Sequence, residues 1–237
     1  MAAGALVLLA GAAPAADTRS VSDSAGRRAE VPARVERVYA AGGPASIFLY
    51  TLAPDRMLGW TRALGPDERA FVPARYANLP TLGRLTGRGN TANVEVVLAA
   101  RPDFVFDYGS LTATYRSLAD RMQEQIGVPY LLFDGSLSAI PAVYARVGDL
   151  LGVGDRGREL GTYAERLRAE TDRRVARVAA AQRPAVYYAR GPKGLGTAAR
   201  GSINVESLER LGARNVASAT WPRSGTPRSA AASGSSR

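Results

Sequence analysis

The side chains able to do chemistry in this chain are carboxylates, tyrosines and arginines, because the sequence holds no histidine and no cysteine. That removes a Ser/His/Asp triad, Cys/His catalysis, the usual imidazole and thiolate metal sites and all disulfides, and it leaves the redox compartment open. Among the acids, Glu95, Asp107 and Asp134 have no spacing that makes an acid/base pair. Arg84 and Arg190 each follow a short extended segment and offer a planar donor fork to a carboxylate or an oxyanion; the alternative for each is a plain surface arginine. Tyr108 either stacks on a bound group and donates a hydrogen bond, or packs at a sheet edge. Tyr187 and Tyr188 alternate across an extended segment, so at most one of them faces a cleft.

The elements that position these residues alternate in a helix-and-strand rhythm. RVYAA, residues 37–41, reads as a buried strand that ends at Gly42, Gly43 and Pro44 and feeds a helix over 45–52. Glycines at a strand-to-helix junction permit close backbone approach, and the free amides of the helix start suit an anion or polar ligand; the alternative is a tight turn with no ligand. Residues 57–62, ending in Arg62, form a second unit, and LPTLGR, ending in Gly83 and Arg84, supplies a short extended element and a turn. A helix over 93–100, stopped by Arg101 and Pro102, leads into a strand over 104–107, and the unit recurs as a helix over 115–125 and a strand over 130–133. This repeat is that of an open parallel sheet, whose ligand loops lie at the carboxyl ends of the strands. Those loops are Gly42 to Pro44, Trp60 to Arg62, Tyr108 through Gly109 to Ser110, and Asp134 to Ser136.

Two long helices come next, over 136–152 with Pro141 in the first turns and over 155–181. In the second, Leu160, Tyr163, Leu167, Thr171, Val175 and Val178 recur every three or four residues and predict a face packed against folded lobes. A second α/β element then opens with a strand over 185–189, leaving at Arg190 and Gly191, and a helix over 204–211 that Ser202 or Asn204 caps. PKGLGTAARGS between them lacks the Gly-Lys-Ser/Thr ending of a phosphate loop and suits a flexible cleft wall.

Composition bounds the function. Lys and Arg number 31 against 21 Asp and Glu, a formal charge of +10 that attracts anions. Nucleic acid is disfavoured as that anion, because the arginines are scattered through amphipathic segments and no helix-turn-helix, finger or stacking motif occurs. The opening MAAGALVLLAGAAPAA resembles the apolar region and cleavage site of a secretory signal, too short to span a membrane and without a basic start. Residues 1–16 are therefore expected to be a signal segment directing the chain to the periplasm or another extracytoplasmic space; no cysteine is present to carry a lipid.

In order, VPARVERVYAAGGPASIFLYTLAPDRMLGW, LPTLGR, NVEVVLAARPDFVFDYG, GVPYLLFD and VYYARGPKGLGTAARGSINVESLERLGARNVA resemble the periplasmic substrate-binding proteins of iron-siderophore and vitamin B12 type ABC importers. The resemblance covers residues 31–217 and implies an α/β fold of two lobes with mostly parallel sheets, joined by a long helix. It implies a ligand held between the lobes and passed to the importer's permease subunits in the inner membrane, with no enzymatic turnover and no cofactor. It places ligand contacts at Gly42, Gly43, Pro44, Gly83, Arg84, Tyr108, Gly109, Ser110, Arg190 and Gly191, beside Arg62 from the strand-end rule. The cargo it implies is a ferric siderophore, a similar metal chelate or an oxyanion. A bare ferric ion needs a cluster of hard oxygen ligands that the sequence does not display, which favours a chelated or oxyanionic cargo.

The expected division is a signal segment over 1–16, a first lobe over 29–136, a helical linker over 137–182, a partial second lobe over 183–219 and a disordered tail over 220–237. The tail, TWPRSGTPRSAAASGSSR, stands where the resemblance predicts further strands and helices, so a truncated or frameshifted product with an incomplete second lobe is expected. An α/β enzyme and a structural or adaptor protein remain the alternatives.

Overall fold

The structure is a computed structural model that describes residues 17–87 and 92–220. It opens with an antiparallel hairpin of β1 (Thr18–Ser22) and β2 (Arg28–Pro32). The sequence shows these residues only as a polar stretch, since their outward side chains are charged or small and only Val21, Ala29 and Val31 bring apolar groups to the inner face. The hairpin turn is held by buried Asp23. Its Oδ1 accepts the backbone N–H groups of Ala25 and Arg27, each at 2.9 Å, and its Oδ2 accepts the Leu132 N–H at 3.1 Å.

The main sheet starts at β3 (Val38–Ala40), buried at every position, and continues into α1 (Gly43–Leu52) with Pro44 in its first turn, where a proline costs no hydrogen bond. The chain then passes through α2 (Pro66–Arg69), α3 (Ala74–Ala77), α4 (Val94–Ala99), β4 (Phe104–Gly109), α5 (Ala113–Ile126) and β5 (Tyr130–Asp134). Strands β3, β4 and β5 pair in parallel in that order. Two shorter extended segments prolong the sheet beyond β3. The Leu58 N–H bonds the Val38 carbonyl at 3.1 Å, while Trp60 and Thr81 form a further parallel bridge. The lateral order is thus residues 80–82, 57–60, β3, β4, β5, with the direction of travel reversing between β3 and β4. In open α/β sheets such a reversal leaves a crevice at the strands' carboxyl ends, where ligands bind.

Strand alternation divides the core over the two faces of this sheet. Val38, Ala40, Phe104, Phe106, Leu131 and Phe133 cluster with α1 and with Val143 and Val147 of α6 (Ile140–Leu150). Tyr39, Ala41, Val105 and Tyr130 cluster with Val97 of α4 and with Ala119 and Ile126 of α5. Helix α4 stops at Arg101, a non-glycine residue at φ 43°, followed by Pro102, as the sequence predicts.

Helix α7 (Gly154–Ala176) has 23 residues, roughly 34 Å at 1.5 Å per residue, and lies against α6. Its first turns pack through Gly157 and Gly161. Farther along, the expected apolar face is covered only in part: Thr171 and Val175 are half-buried, but Tyr163 is 51% exposed and Leu167 48%. The strand expected over 185–189 ends early as β6 (Ala185–Val186), which pairs in parallel with β7 (Arg214–Asn215) between α8 (Glu206–Arg210) and α9 (Ala217–Thr220). Beyond the helix Leu195 and Leu211 are exposed as well. Neither Ser202 nor Asn204 caps α8, whose N-cap is Val205. The expected segment over 1–16 and nearly all of the expected tail lie outside the described residues.

Candidate cleft at the strand ends

Buried Asp107 near the carboxyl end of β4 organises the loops above the sheet. Its Oδ2 accepts the Tyr130 hydroxyl at 2.8 Å, and its Oδ1 accepts the Tyr108 N–H at 2.9 Å and the Thr86 hydroxyl at 3.4 Å. Burial pushes the Asp107 carboxyl above the usual carboxylate range against these three hydrogen bonds, and it pushes the Tyr130 phenol upward too. The same Thr86 closes down on the β3–α1 turn, because a β-carbon on Gly42 would stand 2.6 Å from its Oγ1. Gly42 is therefore a packing glycine. Gly43 and Gly109 look onto open space, the first at the start of α1 and the second at the end of β4.

Next to that crevice lies a cavity of about 300 Å³ over the ends of β4 and β5. Ser110, Asp134 and Ser136 line it from the sheet side, and Ser202, Glu206 and Glu209 line it from beyond the long helix. Two contacts hold these halves together. The Glu206 Oε2 accepts the Leu137 N–H at 2.9 Å, and Ile203 rests over Gly135, where an added β-carbon would meet its Cδ1 at 3.2 Å and the Gly109 Cα at 2.8 Å. Gly135 also donates its N–H to the Gly109 carbonyl at 2.8 Å. Among the described residues no three of Asp, Glu, His and Cys are grouped so as to hold a metal ion.

Of the residues and loops singled out in the sequence, Ser110, Asp134 and Ser136 line this cavity, and Gly109 comes directly before Ser110. Arg62 and Gly83 line a different hollow of about 390 Å³ over the outer strands. There Arg62 is engaged by Glu68, with Nη1 at 2.7 Å from Oε2, and this guanidinium together with the Gly65 N–H holds the partly exposed Glu68 carboxyl down to about 2. Gly83, at φ 80°, accepts the Tyr39 hydroxyl at 3.1 Å. Half-buried Arg84 adjoins that hollow's rim in sequence, and its carbonyl accepts the Ala92 N–H at 3.1 Å. Half-buried Tyr108 packs its ring on Phe48, centroids 4.7 Å apart, from the central strand β4 rather than from a sheet edge. Pro44 is exposed on the first turn of α1. Arg190 is exposed, sits over the Tyr188 ring at 6.0 Å and bridges Gly196, and Gly191 comes after it in a turn at φ 79°. Neither Arg84 nor Arg190 lines the 300 Å³ cavity. Glu206 and Glu209 are read from sequence only as part of a helix, since nothing local signals that β5 and α8 meet.

No family model matches the sequence, and no curated protein matches it. Solved structures do. An ABC transporter solute-binding protein from Sulfurospirillum deleyianum superposes with a TM-score of 0.71 at 24% identity, over 83% of this chain and 61% of that protein. The molybdate periplasmic binding protein MolA of Haemophilus influenzae, bound to molybdate, gives 0.66 at 22% identity over 86% and 67% of the two chains. The periplasmic heme-binding protein RhuT from Roseiflexus, in apo form, gives 0.56 at 21% identity over 78% and 67%. The chain thus spans about three-fifths of the length of the Sulfurospirillum protein. The parallel sheet reversed between β3 and β4, the long helix and the small α/β unit beyond it form the fold of the periplasmic solute-binding proteins of ABC transporters, across most of this chain.

Proposed function

We propose that the protein is an extracytoplasmic solute-binding protein that delivers a ferric chelate or a related anionic or metal complex to the permease subunits of an ABC importer. The observation that carries this reading is the cavity of about 300 Å³ over the carboxyl ends of β4 and β5, closed from the far side by residues of α8. A sheet end facing a second unit across a hollow is a place where solute can be held without any reacting group, and none of the lining side chains forms an acid/base pair with a nucleophile. In this reading residues 29–136 are the first lobe, 137–182 the linker and 183–219 the second lobe, with residues 1–16 directing export. No described helix is long and apolar enough to cross a membrane.

A cavity of this size encloses one end of a chelate rather than the whole of it. The test is a thermal-shift screen of the full chain against ferric siderophores, haem, cobalamin, molybdate and tungstate. A ligand that binds only the folded state raises the apparent melting temperature in proportion to the logarithm of its excess over Kd. A concentration-dependent rise with one class supports the reading and names the cargo. A cooperative melt that none of these solutes moves overturns it.

A further inference from the structure

The connection between the two units is built not to bend. A β-carbon on Gly148 of α6 would stand 2.9 Å from the Gly157 Cα of α7, and α7 runs 23 residues without a proline. Motion that opens the 300 Å³ cavity is therefore expected nearer to it, in the segment over its far side, residues 202–211.

That segment is tied firmly within itself and lightly to the first unit. The Ser202 hydroxyl accepts the Asn204 N–H at 3.3 Å, the Ser202 carbonyl accepts the Val205 N–H at 3.0 Å, and α8 follows directly. Among the described residues, the Leu137 N–H to Glu206 bond is its single hydrogen bond to residues 17–153, with Ile203 resting on Gly135 beside it. The other end of the segment is anchored on α7. There the Arg210 Nη2 meets the Asp172 Oδ2 at 2.5 Å, and a β-carbon on Gly212 would stand 2.9 Å from the Val175 Cγ1. Beyond both ends the chain is held within the small unit: the Ser218 hydroxyl accepts the Arg200 N–H and the Pro184 carbonyl accepts the Arg214 N–H, each at 2.8 Å. Gly201, at φ 84° and with open space where a β-carbon would go, joins the segment to the first of these fixed points.

Opposed free energies meet in this segment. Lifting its Ile203 end breaks the bond to the Glu206 carboxylate and disturbs Val205, which is fully buried in the seated position. Staying seated leaves the Glu209 Oε1 and the Arg210 Nε buried without a partner, which is unfavourable in its own right. Such opposition is the condition for two positions of comparable free energy.

We infer that residues 202–211 are a lid. Helix α8 pivots where Arg210 and Gly212 rest on α7, its Ile203 end lifts from Gly135 and Leu137, and the β6–β7 sheet stays in place. Resting on the solute-binding reading above, this lid, rather than bending between the units, admits solute to the cavity.

The chain holds no cysteine, so spin-label pairs can be introduced cleanly and the motion followed without any solute. One pair, Thr114→Cys with Ser207→Cys, joins exposed positions just past the cavity-lining Leu111 and on α8; a second, Thr114→Cys with Arg214→Cys, refers the rest of the small unit to the same point. In Glu206→Ala the 114–207 pair is expected to show a longer distance whose population, relative to the seated one, is about tenfold that of the labelled parent. The 114–214 pair should keep one unchanged distance. Ile203→Ala should act in the same direction, whereas Glu206→Gln, whose amide oxygen still accepts the Leu137 N–H, should match the parent. Absence of the longer distance in both alanine variants overturns the lid, and equal displacement of the two pairs overturns it in favour of bending between the units. A lid that lifts in a chain whose melt no solute moves stands by itself while the solute-binding reading falls.

Discussion

Gly157 of α7 lies so close to Tyr144 of α6 that a β-carbon on it would stand 2.4 Å from the Tyr144 carbonyl oxygen. The same added atom would come within 3.0 Å of the Gly148 Cα, and one on Gly161 within 2.8 Å of the Pro141 carbonyl oxygen. The two helices that connect the units therefore meet backbone to backbone. Small residues are a condition of that approach, not a consequence of helix propensity, by which glycine is a poor choice.

Gly157→Ala is expected to force α6 and α7 apart. The obstructing atoms are backbone, which cannot rotate away, so overpacking should exceed the helix-propensity gain of an alanine and destabilise by about 1–3 kcal/mol. Chemical denaturation of the variant checks this. An unchanged or raised midpoint would mean that the helices are not in contact at this point.

Asp107 should give the protein a stability component that declines as pH rises. Its folded-state carboxyl lies above the ordinary range because of burial, so the component is fully present below the unfolded value of about 3.9 and is lost as pH rises through the folded value. Asn at this position cannot titrate. The melting temperature of Asp107→Asn relative to the unsubstituted chain should therefore climb as pH rises above the ordinary carboxylate range. Glu68, held down to about 2, acts in the reverse sense: its contribution is present above the ordinary carboxylate range and fades as pH falls toward 2. A pH-independent difference between Asp107→Asn and the parent would remove burial as the cause.

Asp23 ties the hairpin to the outer edge of β5, because its carboxylate serves the Leu132 N–H and the Ser24 N–H bonds the Leu132 carbonyl at 3.0 Å. That pairing covers backbone groups which an edge strand otherwise exposes. Asp23→Ala leaves the Leu132, Ala25 and Arg27 amides short of an acceptor and is expected to cost about 3 kcal/mol. Faster hydrogen exchange at the Leu132 amide, without change at Val105 in the central strand, would localise the loss. Uniform change across the sheet would show instead that the hairpin belongs to one cooperative unit with it.

The strands and helices of the first unit are legible because each obeys a local rule. Phe104 to Asp107 is a largely apolar run after a Pro102 stop, and Val94, Val97 and Leu98 mark one turn-by-turn face. The hairpin is not legible, because its strands carry Arg19, Arg28 and Glu30 alongside only Val21, Ala29 and Val31 inward. The site is legible by half. Strand-end logic points to Ser110 and Asp134, since it needs only the order of elements. Glu206 and Glu209 depend on where α8 lands after the turn back from α7, a tertiary fact that helix periodicity does not encode. The arginine forks at 84 and 190 stand out for their chemistry alone, and the fold puts neither on the cavity.

Gly135 offers the means to separate binding from folding. It sits between Gly109 and Ile203, and an added β-carbon would approach the Gly109 Cα at 2.8 Å and the Ile203 Cδ1 at 3.2 Å. The isoleucine terminus can yield, but the glycine backbone cannot, so relief must come from displacement of the β5 end relative to β4. That displacement changes the mouth formed by Ser110, Asp134 and Ser136 while the buried body of the sheet, from Phe104 to Phe106 and from Tyr130 to Phe133, keeps its partners. If the protein binds solute as proposed, Gly135→Ala is therefore expected to lower that affinity by about tenfold or more, at a stability cost of only about 1–2 kcal/mol. Titration of a bound solute together with a denaturation midpoint measures both. Full affinity with the midpoint intact would show that the strand ends do not shape the cleft, whereas loss of the cooperative transition would make Gly135 part of the folding core.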